Sequence, residues 1–176
     1  MKRLFVLALL LLTATPALAD ACALAKIETA LSAPLDGLKK LERDVSEVQS
    51  TEGGQWQIYR EADGRVNTII RVDGGESGMG ERRLSIVNRQ TYGIAVTRVD
   101  YLRHAFAENA GPNATVKRTT EYYFYCDGNL YLPPEGDAML DLTAYKAAGI
   151  EAQTAMVKDK DVADFTKRLA RQEEPP

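Results

Sequence analysis

The sequence predicts an α+β domain: an N-terminal helix, or a kinked helix pair, packed on a five- or six-stranded antiparallel meander, with C-terminal helices after it. Three observations predict it. Apolar residues recur every three or four positions from Leu24 to Val48. Beyond Gly53 and Gly54 the period falls to two, with Asp-Gly turns at Asp63–Gly64 and Asp127–Gly128. Helical composition then returns from Asp137 onward.

Ahead of this domain, residues 1–19 read as a secretory signal. Lys2 and Arg3 precede an apolar run from Leu4 to Leu12, and Ala17, Leu18 and Ala19 stand before Asp20, which places cleavage after Ala19. Thr13, Thr15 and Pro16 end the run short of the ~20 residues a membrane span needs, so no transmembrane segment is expected after cleavage. Cys22 follows Ala19, Asp20 and Ala21, with no Leu where a lipidation signal would carry one. The expected address is the periplasm or the secreted fraction. The remainder fits one domain over residues 20–171 with a disordered tail at 172–176, and it contains no internal repeat or low-complexity tract.

Losing Lys2 and Arg3 leaves 20 basic groups against 25 acidic ones. That balance, with no basic stripe, argues against nucleic acid and anionic membranes as partners. The two cysteines, Cys22 and Cys126, form an even pair in an oxidising compartment and are expected to bond. Closing a loop of ~100 residues would stabilise by roughly 4–5 kcal/mol on the chain-entropy account. A nucleophilic Cys126 with His104 as base would also need an orienting third group within reach.

The elements follow in order. Leu24, Ile27, Leu31, Leu35, Leu38, Leu41, Val45 and Val48 form one helical stripe, interrupted near Pro34, with Ser32 as a candidate cap. Trp56 and Ile58 alternate with Gln57 and Tyr59, and a turn through Asp63 and Gly64 leads to a strand carrying Val66, Thr68, Ile70 and Val72. Residues 73–80 read as a flexible glycine-rich tip. Strands follow around Leu84 to Val87 and from Ile94 to about Leu102, the second with a suspected bulge. Tyr122, Phe124 and Cys126 oppose Glu121, Tyr123 and Tyr125 in the clearest strand, which returns through Asn129–Leu132. Gly149 is expected to hinge two short helices, and Asp161 to cap the last one.

Candidate chemistry is thin. Gly75, Glu76, Ser77 and Gly78 lack the second glycine of a nucleophile elbow and sit between strands. One histidine and two paired cysteines fall short of a zinc site, the acidic spacings fit no calcium loop, and no phosphate-binding glycine motif is present. No catalytic residue, cofactor or metal is expected, although Glu61 and Asp73 are conceivable as a hydrolase's carboxylate pair. Asn113, Ala114 and Thr115 form a glycosylation sequon.

Aromatic residues suggest binding instead. Trp56, Tyr59, Tyr123, Tyr125 and Tyr131 cluster on two hairpins, and tyrosine offers rigid amphipathic contact area. The alternative is that Tyr123 and Tyr125 cover the sheet beneath the C-terminal helices. Tyr125, Cys126, Asp127 and Gly128 are similar, over those few residues, to the Tyr-x-Cys-Asp opening of the periplasmic inhibitors of animal-type lysozyme, in which that strand comes first rather than a long helix. The resemblance implies an inhibitor. The expected function is a non-catalytic binding or inhibitor-type module acting on an unknown protein or envelope component. The alternatives are an envelope-acting hydrolase and a carrier of a small apolar ligand between helix and sheet.

Overall fold

The structure, a computed structural model, describes residues 22–44, 53–102, 115–133 and 140–158. The expected signal at 1–19, Val45 and Val48 of the expected helical stripe, His104, the Asn113 sequon, Asp161 and the expected tail at 172–176 lie outside them. Within the described residues, seven strands form one sheet in sequence order: β1 (Lys39–Asp44), β2 (Gly54–Arg60), β3 (Val66–Gly74), β4 (Gly78–Ile86), β5 (Tyr92–Tyr101), β6 (Thr115–Cys126) and β7 (Asn129–Leu130). Each is antiparallel to the next. Helix α1 (Leu24–Ser32) precedes the sheet, and α2 (Leu142–Gln153), continued by a π-helical turn at Thr154–Lys158, follows it. The α+β meander with flanking helices is as expected, with one strand more.

The additional strand is β1, where the helical stripe was expected to continue. Helix α1 stops at Ser32, whose hydroxyl donates back to the Glu28 and Thr29 carbonyls at 2.9 and 3.2 Å, so it serves the helix's end rather than capping a start. Pro34 cannot continue the hydrogen-bond ladder, and Gly37 turns the chain at φ +85°. Leu41 then pairs with Ile58 across the β1–β2 ladder. Lys40 Nζ reaches Glu42 Oε1 at 2.6 Å, a contact between positions i and i+2 that a strand puts on one face and a helix does not.

The expected 62–64 turn is present, closed by Glu61 N–H to the Arg65 carbonyl at 2.9 Å. The glycine-rich tip is shorter than expected. Asp73 pairs with Gly80 and Gly74 with Met79, leaving residues 75–77 to turn. In β5 the alternation runs unbroken to Asp100, and the register shifts only between Asp100 and Tyr101. Ile94 and Val99 therefore face opposite sides of a strand buried on both. Asp127 (φ +52°) and Gly128 (φ +76°) form the tight β6–β7 turn that both residues tolerate.

Among the described residues, each face of the sheet carries one helix. Ile27 and Leu31 of α1 press onto Gly93 so closely that a Cβ there would lie 2.5 Å from Ile27 Cγ2. Arg83 Nη2 donates to the Ala33 carbonyl at 2.8 Å and the Ala30 carbonyl at 3.4 Å, satisfying the end of α1. The Cys22–Cys126 disulfide pins the start of the helix to the end of β6, with Cα atoms 5.4 Å apart. On the opposite face, Asp141 caps α2 by accepting from Thr143 and Ala144 N–H. Gly149 lies inside this helix and does not hinge it. A Cβ there would meet Leu130 Cδ2 at 2.7 Å, so glycine is what lets α2 approach β7.

Replacing both Cys22 and Cys126 by Ser should lower unfolding stability by about 2–5 kcal/mol, since the bond closes a 104-residue separation. Gly93→Val should cost about 1–3 kcal/mol by lifting α1. Urea denaturation of each variant measures both.

Candidate functional site

The five aromatic candidates divide between the two faces and do not form one surface. Trp56 is 3 % exposed and Arg71 lies over its ring, the guanidinium carbon 5.3 Å from the centroid. Tyr123 and Tyr125 are buried beneath α2. The Tyr125 hydroxyl donates to the Gly149 carbonyl at 2.7 Å, and Tyr123 donates to Glu121 Oε2 at 2.6 Å while its ring packs against Tyr145. Tyr59, on the other face, is half-buried and donates to Gln57 Oε1 at 3.1 Å. Tyr131 is half-buried against the cluster that holds Cys22, Ile27 and Leu31. Covering by the C-terminal helix, the alternative left open by the sequence, is what the structure has for Tyr123 and Tyr125.

Two residues that the sequence reading passed over complete this buried array. Tyr92 stacks on Tyr125 with ring centroids 4.7 Å apart, and Gln153 Nε2 donates to the Tyr92 hydroxyl at 2.5 Å and the Gly128 carbonyl at 2.9 Å. The two-residue alternation of Tyr92, Ile94 and Val96 was the available signal, since it marks a buried face that begins at Tyr92 rather than at Ile94.

The acidic candidates are also separated. Glu61 and Asp73 lie at opposite ends of β3. Asp73 accepts from Arg71 Nη2 at 2.6 Å and from Arg82 Nη1 at 3.2 Å, whereas Glu61 accepts from Asn67 Nδ2 at 2.5 Å. Glu76 and Ser77 sit exposed in the β3–β4 turn with no histidine near them among the described residues. No group of three His, Cys, Asp or Glu among the described residues is placed to hold a metal ion.

What the fold does build is a cleft of about 550 Å³ at the end of the sheet beyond β3, β4 and β5. Its apolar lining comes from Val66, Leu84, Ile86, Val87 and Tyr92, and Val157 of the π-helical turn closes one side. Glu61, Asn67, Asn88, Arg65 and Arg89 ring the opening. Local structure fixes these groups. Asn88 Oδ1 accepts from the N–H groups of Gln90 and Thr91 at 2.9 and 2.8 Å, and Arg65 Nε donates to Asp63 Oδ2 at 2.6 Å. Tyr92 reaches the cleft from β5 while its hydroxyl is held by Gln153, so the wall presents its ring. Such an arrangement can hold an apolar body and hydrogen-bond a polar end, and among the described residues it offers no second carboxylate opposite Glu61.

No helix among the described residues is long and apolar enough to cross a membrane. No family model matches the chain, and neither curated proteins nor solved structures give a match.

Burial raises the phenols of Tyr92, Tyr123, Tyr125 and Tyr145 above the ordinary value near 10, with the Glu121 carboxylate adding to the effect at Tyr123. A raised folded-state pKa gives stability that is complete below the unfolded value and is lost as pH rises through the folded one. Stability should therefore hold up to pH ~10 and fall above it. Phenolate absorbance from these four rings should appear together with unfolding. Tyr125→Phe should lower stability by about 1–2 kcal/mol, because it leaves the Gly149 carbonyl without its donor. An alkaline titration followed by absorbance and circular dichroism checks both.

Proposed function

We propose that this chain is an exported, non-catalytic binding protein whose ligand is a small, largely apolar molecule with a polar end. The cleft between the sheet end and the π-helical turn carries the reading. Its volume of about 550 Å³ falls within the range of small-molecule sites. An apolar floor with a few convergent polar groups is the lining such ligands need, with burial of the apolar body supplying most of the affinity. The expected inhibitor-type reading drew on a tyrosine surface, and α2 covers Tyr123 and Tyr125 of it.

Export is supported by the leader pattern up to Ala19 and by a disulfide, which persists in oxidising compartments. The mild acidic excess disfavours nucleic acid as the ligand.

The secreted protein, titrated with the apolar fluorophore N-phenyl-1-naphthylamine, should give a saturable one-to-one fluorescence rise. Val157→Trp, at a position 38 % exposed, should narrow the cleft and weaken binding about tenfold with the fold intact by circular dichroism. Unsaturable fluorescence, or equal affinity in the variant, would remove the cleft from the account.

A further inference from the structure

The two edges of the sheet differ. β1 carries charge at five of its six positions, the pattern that keeps an edge from pairing. β6 extends well past its short outer neighbour, since β7 pairs only with Tyr125 and Cys126. From Lys117 to Tyr122 every residue of β6 is exposed, without a proline or a register shift, and has no ladder partner on its outer side among the described residues. Which groups point outward is fixed by two bonds: the Phe124 carbonyl accepts Tyr131 N–H at 2.8 Å, and the Tyr122 carbonyl accepts the Tyr145 hydroxyl at 3.1 Å. Counting back by the strand period of two, the backbone N–H and C=O of Arg118 and Thr120 face outward.

We propose that β6 pairs with β6 of a second copy of this chain, antiparallel about a two-fold axis through Thr119, joining the two sheets edge to edge. The side chains select this register. With the axis at Thr119, Lys117 lies opposite Glu121 of the second copy, and the reverse, so two opposite-charge pairs form. Arg118 and Thr120 then exchange four backbone hydrogen bonds across the axis. Moving the axis to Lys117, Arg118 or Glu121 sets like charges face to face, which is destabilising, and moving it to Thr120 sets Lys117 and Glu121 opposite uncharged residues. Glu121 is already positioned, because its Oε2 accepts the Tyr123 hydroxyl at 2.6 Å while the side chain stays exposed. Tyr122, 51 % exposed, is the diagonal neighbour of Arg118 of the second copy on the face that carries α1. An isologous contact of this kind closes on itself and does not propagate into fibres.

The test is sedimentation of the secreted protein across the micromolar range, where the mass should double. Thr120→Pro, which deletes an outward N–H that the sheet itself does not use, should weaken association at least about tenfold. Lys117→Glu and Glu121→Lys should each weaken it, and the two together should restore it, a rescue that a folding defect would not give. Thr119→Cys should oxidise to a covalent dimer, as opposed residues of a non-hydrogen-bonded pair lie ~4.5 Å apart between Cα atoms. A monomer at all concentrations would overturn the proposal. So would a dimer indifferent to Thr120→Pro, or one that the charge swap fails to restore.

Discussion

A strand that carries a helix on each face must accommodate two different depths of contact, and β5 does so by sorting its side chains by size. Toward α1 it presents Gly93 and Ala95, small enough for Ile27 and Leu31 to rest almost on the backbone. Toward α2 it presents Tyr92 and Ile94, large enough to fill the space beneath a helix held further out. The neighbouring β6 continues the division with Tyr123 and Tyr125 on one side and Phe124 and Cys126 on the other. The disulfide and the stacked tyrosines take their positions from this pair of strands, and β5 adds Tyr92 to the cleft wall. The wide β5–β6 ladder therefore acts as the frame on which both outer layers are seated.

Polar groups complete the packing where apolar contact ends. Arg83 reaches out of the sheet to the carbonyls at the end of α1, and Gln153 and Tyr125 tie α2 to the β6–β7 turn and to the sheet. Arg71 is buried between the Trp56 ring and the Asp73 carboxylate. These bonds are directional where burial is not, so they fix how each helix is oriented as well as that it docks.

Much of this was legible in the residues. The Asp-Gly turns at 63–64 and 127–128, the alternation in β2, β3 and β6, and the Cys22–Cys126 bond follow from local chemistry that the tertiary structure leaves in place. The segment that holds β1 was misread because Leu35, Leu38 and Leu41 satisfy a helical period by coincidence. What decides Leu41 is its pairing with Ile58, seventeen positions away in the chain, and the break imposed by Pro34 and Gly37. Gly149 was misread as a hinge for a similar reason: its role is set by Leu130 and Tyr123, which no local window contains. The aromatic residues posed the hardest case. A tyrosine on a strand looks the same whether its face meets water or a helix, and only the third layer distinguishes them. The cleft was equally invisible, because its lining comes from four separate segments.

The bond between Cys22 and Cys126 encloses α1 and β1 through β6 in a single covalent ring, while β7 and α2 lie beyond it. The ring segment loses disorder permanently, whereas α2 is retained by the Gly149 approach, four side-chain hydrogen bonds to the sheet and its turn, and the contacts of Ala152 and Met156. The two parts therefore have unequal tolerance of opening. Release of α2 alone would uncover Tyr92, Tyr123 and Tyr125 without disturbing the far face, which makes the helix a detachable cover over an otherwise closed scaffold.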